Sequence, residues 1–176
     1  MKKLINLITI TALLVTSFAF AEKEEHCCCC CDTENSFGYV DIGLGPFPFP
    51  VPSFGLGYRT QNNHHGKDLS LQVSTVIAVT QVKASALYHY YFKPNLYSQF
   101  YVGAGASASG IFASHRDINS HFFISPEFAF GKEYKNETCD TRFFEAAISF
   151  PTFGMHDFPR HTLYAPLVVL KYGIAF

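Results

Sequence analysis

The chain is short of charge: Asp, Glu, Lys and Arg make up 15% of its 176 residues, and the formal net charge is −1. Without a basic excess there is no footprint for a polyanion, so nucleic acid is excluded as a partner. Past residue 21 there is no apolar run of the roughly 20 residues that a spanning helix needs. Even the stretch Leu163 to Phe176 is broken by Pro166 and Lys171. A helical membrane protein is therefore excluded. Glycine-rich phosphate loops, heptads and internal repeats are missing too, which removes nucleotide-binding, coiled-coil and solenoid architectures. Tryptophan is absent.

Against these absences stands an apolar excess: 48% of residues are hydrophobic and 16% aromatic, high for a soluble secreted domain. Something must cover that surface. A closed β-barrel in lipid does so, because its backbone polar groups pair between strands while apolar side chains face acyl chains. The N-terminus points to export. Lys2 and Lys3 form a basic region, Leu4 to Phe18 an apolar core, and Ala19-Phe20-Ala21 a small-x-small cleavage site. Residues 1–21 thus read as a secretory signal peptide, with a mature start at Glu22. A lipoprotein signal does not fit, since Cys27 follows Glu24-Glu25-His26.

Turn residues divide the body into segments of the length a tilted membrane strand requires. They are Phe37 to Leu44, Ser53 to Gln61, Leu69 to Val79, Val82 to Phe92, Leu96 to Ser107, His121 to Lys132, Arg142 to Phe150, and Leu163 to Phe176. Eight segments predict an eight-stranded antiparallel up-and-down barrel over 36–176, preceded by a flexible cysteine-rich tail over 22–35. Alternation supports this reading. Leu69, Leu71, Val73, Thr75, Ile77 and Val79 share one face, against Ser70, Gln72 and Ser74. Phe122, Ile124, Phe128 and Phe130 oppose Ser125, Glu127 and Gly131, and Tyr164, Val168, Leu170, Tyr172, Ile174 and Phe176 oppose Lys171 and Gly173. Gly103, Gly105 and Gly110, among alanines, suit a curved wall. Tyr88, Tyr90, Phe92 and Tyr97 flank the turn at Lys93-Pro94-Asn95, where an interfacial aromatic girdle belongs.

Carried round all eight strands, the same alternation turns Asp41, Arg59, Lys83, Glu127, Glu145 and Lys171 inward, three acids and three bases. An eight-stranded barrel is only wide enough to be filled by its own side chains. The expectation is an all-β transmembrane barrel with a side-chain-filled interior and no conducting pore.

The last five residues, Tyr172-Gly173-Ile174-Ala175-Phe176, alternate aromatic, apolar and aromatic side chains. They resemble the C-terminal strand that the barrel-assembly machinery reads in bacterial outer-membrane proteins. Together with the strand pattern, this ending is similar to that of the small outer-membrane barrels of the OmpA-transmembrane, OmpX and OmpW kind. The resemblance implies outer-membrane lipid and the assembly machinery as partners, with Tyr172, Ile174 and Phe176 as the assembly signal.

Five of the six cysteines are consecutive, Cys27, Cys28, Cys29, Cys30 and Cys31, flanked by His26 and Asp32. Neighbouring cysteines meet disulfide geometry poorly, while export favours disulfides. Their partners are expected elsewhere: Cys139, placed in a turn over Glu133 to Thr141, or cysteines of other envelope proteins. A soft metal ion is the alternative, although contiguous thiols lack the spacing of structural zinc sites. The habit resembles that of cysteine-rich envelope proteins in chlamydia-like bacteria.

Pro46-Phe47-Pro48-Phe49-Pro50-Val51-Pro52 predicts a stiff outer loop. Ser114, His115 and Asp117 in one loop, and His156, Asp157 and His161 in another, supply the residue types of a catalytic triad, but no nucleophile elbow accompanies them. His64 and His65 fall in a turn. The expected function is non-catalytic: envelope structure or surface interaction, with no cofactor. The alternatives are a lipid A-modifying enzyme and a secreted lipocalin-like binder. Deleting Phe176 is expected to lower the heat-modifiable, membrane-inserted fraction several-fold, measured by gel shift of outer-membrane fractions; normal insertion of the truncated chain counts against the assembly signal.

Overall fold

Eight strands, each paired antiparallel with its neighbour in sequence, make up the computed structural model, which describes residues 34–46, 50–76, 79–94, 97–113, 121–136, 140–150 and 166–176. They are β1 (Glu34–Pro46), β2 (Pro50–Asn62), β3 (His65–Val76), β4 (Val79–Tyr91), β5 (Ser98–Ala113), β6 (His121–Lys135), β7 (Thr141–Ser149) and β8 (Leu167–Ala175). β1 also pairs with β8, from Tyr39 opposite Ala175 to Leu44 opposite Leu170, and this seam closes the sheet into a barrel. The backbone of Phe176 extends the seam, its N–H donating to the Gly38 carbonyl at 3.0 Å. All eight expected strands are present.

Several boundaries differ from the sequence reading. β3 begins at His65, not Leu69, and Val79 opens β4 instead of ending β3. β5 runs on to Ala113 and β6 to Lys135, and β8 is described from Leu167, the expected start at Leu163 lying outside the described residues. Polar residues such as Lys67, Asp68 and Glu133 read as turn chemistry, yet a barrel lumen accepts polar side chains along the whole strand. β1 likewise begins at Glu34, two residues inside the expected tail. The β2–β3 connection is the pair Asn63-His64, with Asn63 at φ 50°, a left-handed conformation that asparagine tolerates in a tight hairpin.

Burial is inverted relative to a soluble protein. The largest fully buried side chain is Arg59, and Asp68, Glu127, Glu133 and Glu145 are buried with it. The contiguous buried apolar cluster comprises just Leu87, Ala129 and Ala147 among the described residues. Outside, Val40, Ile42, Leu56, Leu69, Leu71, Phe128, Ile148, Leu170 and Ile174 all stand exposed, as do the girdle residues Tyr88, Tyr90 and Phe92. A period of two sorts the chain this way, because consecutive side chains of a strand point to opposite faces.

A narrow lumen also needs room for rings. Tyr39 lies directly opposite Gly57 in the ladder, His89 opposite Gly103, Tyr101 opposite Gly131, and Phe143 opposite Gly173. At each of these glycines an added Cβ would collide with the facing ring. The rings of these four inward residues therefore lie across a neighbour with no side chain. Gly57→Val is expected to destabilise the barrel by about 1–3 kcal/mol through overpacking against Tyr39. The midpoint of urea unfolding from lipid vesicles checks this, with Gly38→Ala, whose neighbour is the outward ring of Phe176, as the milder comparison.

Candidate functional site

The strands converge on one cation. Arg59, on β2, is fully buried, and its Nε donates to Asp68 Oδ2 of β3 at 2.7 Å. Nη2 donates to Glu145 Oε2 of β7 at 3.0 Å, and Nη1 to the Tyr101 hydroxyl of β5 at 3.0 Å. Nη1 also lies 3.6 Å from Glu133 Oε2 of β6. Three rings surround the guanidinium carbon, those of Phe143 at 4.3 Å, Tyr101 at 4.8 Å and Tyr39 at 5.5 Å. The planar fork of arginine suits such a site, since it can donate in several directions and still stack on aromatic faces.

Neighbouring groups complete the cluster. The Tyr39 hydroxyl donates to Asp68, 3.0 Å from each carboxylate oxygen, and Tyr101 donates to Glu145 Oε2 at 2.9 Å. Lys171 Nζ donates to Glu145 Oε1 at 3.1 Å. Glu133 accepts from Gln99 at 2.8 Å and from Tyr91 at 3.3 Å, and Gln99 and Gln61 exchange amide hydrogen bonds at 3.0 and 3.1 Å. A separate pair lies further from the end where β1 begins and β8 finishes: Lys83 Nζ donates to Glu127 Oε1 at 2.8 Å, and Ser85 to Glu127 Oε2 at 3.1 Å. Here the lumen is lined by short side chains, among them Ser53, Ser107, Ser109 and Ser125. The Asp41 carboxylate, the two ring nitrogens of His89 and the hydroxyls of Ser107 and Ser125 have no protein partner among the described residues.

The six charged residues read from alternation, Asp41, Arg59, Lys83, Glu127, Glu145 and Lys171, are all buried in the lumen. Arg59, Glu145 and Lys171 meet in one cluster, Lys83 and Glu127 in another, and Asp41 stands apart from both. The equality of three acids and three bases does not hold. Asp68 and Glu133 are buried as well, which makes five acids against Arg59, Lys83 and Lys171 among the described residues; Lys135, at the rim, approaches Glu133 at 3.9 Å. Both acids were cut off by strand boundaries drawn short. Continuing β3 and β6 by one residue at the same period would have found them. The inward aromatics Tyr39, Tyr91, Tyr101 and Phe143 were not singled out either, since an apolar ring carries no sign of facing a polar lumen.

Of the residues expected as an assembly signal, Tyr172 and Ile174 lie on the outward face of β8, and they and Phe176, which follows it, are exposed. Cys27 to Cys31, Cys139, the loop aromatics Phe47 and Phe49, and the loop residues Ser114, His115, Asp117, His156, Asp157 and His161 lie outside the described residues. Among the described residues no group of His, Cys, Asp and Glu could hold a metal ion.

No family model matches the chain, and no curated protein matches it. Solved structures do. The N-terminal β-barrel domain of Pseudomonas aeruginosa OprF superposes with a TM-score of 0.56 at 15% identity, over 81% of this chain and 98% of that one. Neisserial surface protein A superposes with a TM-score of 0.63 at 10% identity, over 82% of this chain and 98% of that one. At these identities the likeness is one of fold, an eight-stranded closed antiparallel barrel.

Removing one member of a buried ion cluster leaves the others uncompensated, which costs more than the intact cluster contributes. Arg59→Met strips the shared partner from Asp68, Glu133 and Glu145 and is expected to cost about 3–5 kcal/mol. Lys171→Met should cost less, because Glu145 keeps Arg59. Unfolding midpoints in lipid vesicles check the ordering, and equal losses would show that Arg59 is not the shared partner.

Proposed function

We propose that the chain is a non-catalytic outer-membrane barrel protein whose interior is plugged by its own side chains and whose role is structural or in surface interaction. The observation that carries this reading is the inversion of burial: an apolar outer wall around a lumen filled by Arg59 and its carboxylates. An apolar exterior of this extent is stable in lipid and aggregation-prone in water. A soluble binder of apolar ligands has the opposite arrangement, a polar exterior around an apolar lumen. The two similar barrels add support, since one of them is named a surface protein.

In this reading, export precedes cleavage after Ala21, the assembly machinery engages Tyr172, Ile174 and Phe176 on the outward face of β8, and the barrel is anchored in outer-membrane lipid. The cysteine run Cys27 to Cys31, with Cys139, tethers the barrel to other cysteine-rich envelope proteins. The lumen passes no steady ion current, because Arg59, Lys171 and the carboxylates that hold them span it from strand to strand.

The test is a gel of outer-membrane fractions, boiled and unboiled, with and without reductant. The expected result is faster migration unboiled and reducible oligomers that vanish when Cys27 to Cys31 are changed to serine. A chain found in the soluble fraction with no heat shift overturns the membrane reading, and oligomers unchanged by the serine variant overturn the tether. In planar bilayers the folded barrel should give no conductance steps above baseline.

A further inference from the structure

The outward wall carries charge near one end only. Among the strand residues whose side chains are described, the charged ones that face outward are Lys67 on β3, Lys132 on β6 and Arg142 on β7, all basic and all near the end where β1 begins and β8 finishes. The ammonium group of Lys132 is already engaged, 4.7 Å from the Phe100 ring and 4.9 Å from the Tyr134 ring. Lys67 is exposed and has no acidic partner among the described residues.

Around Lys67 the wall is hollowed into a groove of about 770 Å³, far larger than a phosphate ion needs, with Tyr58, His65 and Tyr88 in its lining. The Tyr88 hydroxyl lies 2.6 Å from His65 Nδ1; with Nδ1 accepting, the ring presents Nε2–H as a donor. Tyr88 stands directly opposite Lys67 in the ladder. Toward the middle of the wall the groove gives way to Leu56, Leu69 and Leu71, all exposed, with Leu56 directly opposite Leu71. One ring N–H donor and, among the described residues, one unpaired cation in the groove, with an apolar track leading along the wall toward its middle, fit an amphiphile with an anionic head.

We propose that this groove binds one glycerophospholipid, its phosphate held by Lys67 and by the Nε2–H of His65, whose tautomer the Tyr88 hydroxyl fixes by donating to Nδ1, and its acyl chains laid along Leu56, Leu69 and Leu71. This rests on the membrane-barrel reading. Charge complementarity selects the occupant. A lysine facing lipid is costly at mid-membrane and nearly free at the interface, and near an anionic headgroup each basic residue becomes favourable. A free phosphate would need no leucine track, and a neutral lipid would need no lysine.

The test is native mass spectrometry of the full chain released from mixed micelles containing phosphatidylglycerol and diacylglycerol of the same acyl chains, with a heat-shift gel run on each sample. Wild type is expected to retain one phosphatidylglycerol in preference to diacylglycerol. Lys67→Gln should lower that retention about fivefold, Lys67→Arg should restore most of it, and Lys132→Gln should leave it unchanged. Equal loss in Lys67→Gln and Lys132→Gln would reduce the site to a diffuse basic belt and overturn it. Equal retention of both lipids, or displacement of phosphatidylglycerol by millimolar inorganic phosphate, overturns it as well. A heat-shifted barrel without the preference sinks the site alone, whereas a chain without a heat shift sinks the membrane reading and the site together.

Discussion

The burial of Arg59 constrains everything else in this barrel. A guanidinium taken out of water must find its full complement of acceptors or destabilise the fold by several kcal/mol. Here one acceptor, Asp68, comes from the adjacent strand of the hairpin, and the others, Tyr101, Glu133 and Glu145, from strands distant in sequence. Tyr39, Tyr91 and Lys171 hold those acceptors in turn. Counted by strand, the cluster draws one member from each of β1 to β8. It can form only when all the ladders are in register and the β1–β8 seam is closed, because slipping any strand by one residue turns its member out into lipid. The ionic network thus favours one closed arrangement. Its net contribution to stability need not be large, since desolvation offsets most of the attraction.

The lumen has to be narrow enough for these groups to touch, and the glycines make that geometry possible. Where Tyr39, His89, Tyr101 and Phe143 reach inward, the residue facing each across the ladder is glycine. Each ring then lies along the wall instead of blocking the centre, leaving the axis to Arg59. The rings in turn supply faces to the guanidinium, an electrostatic attraction strengthened where water is excluded. Aromatic packing and ion pairing are one structure here.

Outside, the same period of two presents an apolar band bounded by aromatic residues. At the end where β1 begins and β8 finishes they include Tyr58, Tyr88, Tyr90, Tyr134 and Tyr172 together with Phe92, Phe144 and Phe176, accompanied by the outward bases; at the other end, among the described residues, they are phenylalanines, Phe54, Phe112, Phe122 and Phe150. Hydroxyl and ammonium groups favour a hydrated layer, while phenylalanine tolerates deeper apolar surroundings. Among the described residues, outward tyrosines and bases are thus confined to one rim.

The architecture was legible in the sequence because it depends on local rules. Alternation over segments such as Leu69 to Val76 and Phe122 to Phe130 separates lipid face from lumen without knowledge of any partner strand, and it turned Arg59, Glu127, Glu145 and Lys171 inward. The ends of strands were not legible. Asp68 and Glu133 looked like turn residues because a lone carboxylate in a strand gives no sign of its acceptor or donor across the lumen. By itself the sequence determined the number of strands and the face on which most side chains lie, since both follow from a period of two and from turn chemistry. Only the tertiary structure decided which charges pair, that acids outnumber bases among the described lumen residues, that four inward rings lie across glycines, and that Lys67 sits at the head of a groove. Those depend on ladder register and barrel closure, which bring together residues as far apart as Arg59 and Glu145 in a way no local pattern encodes.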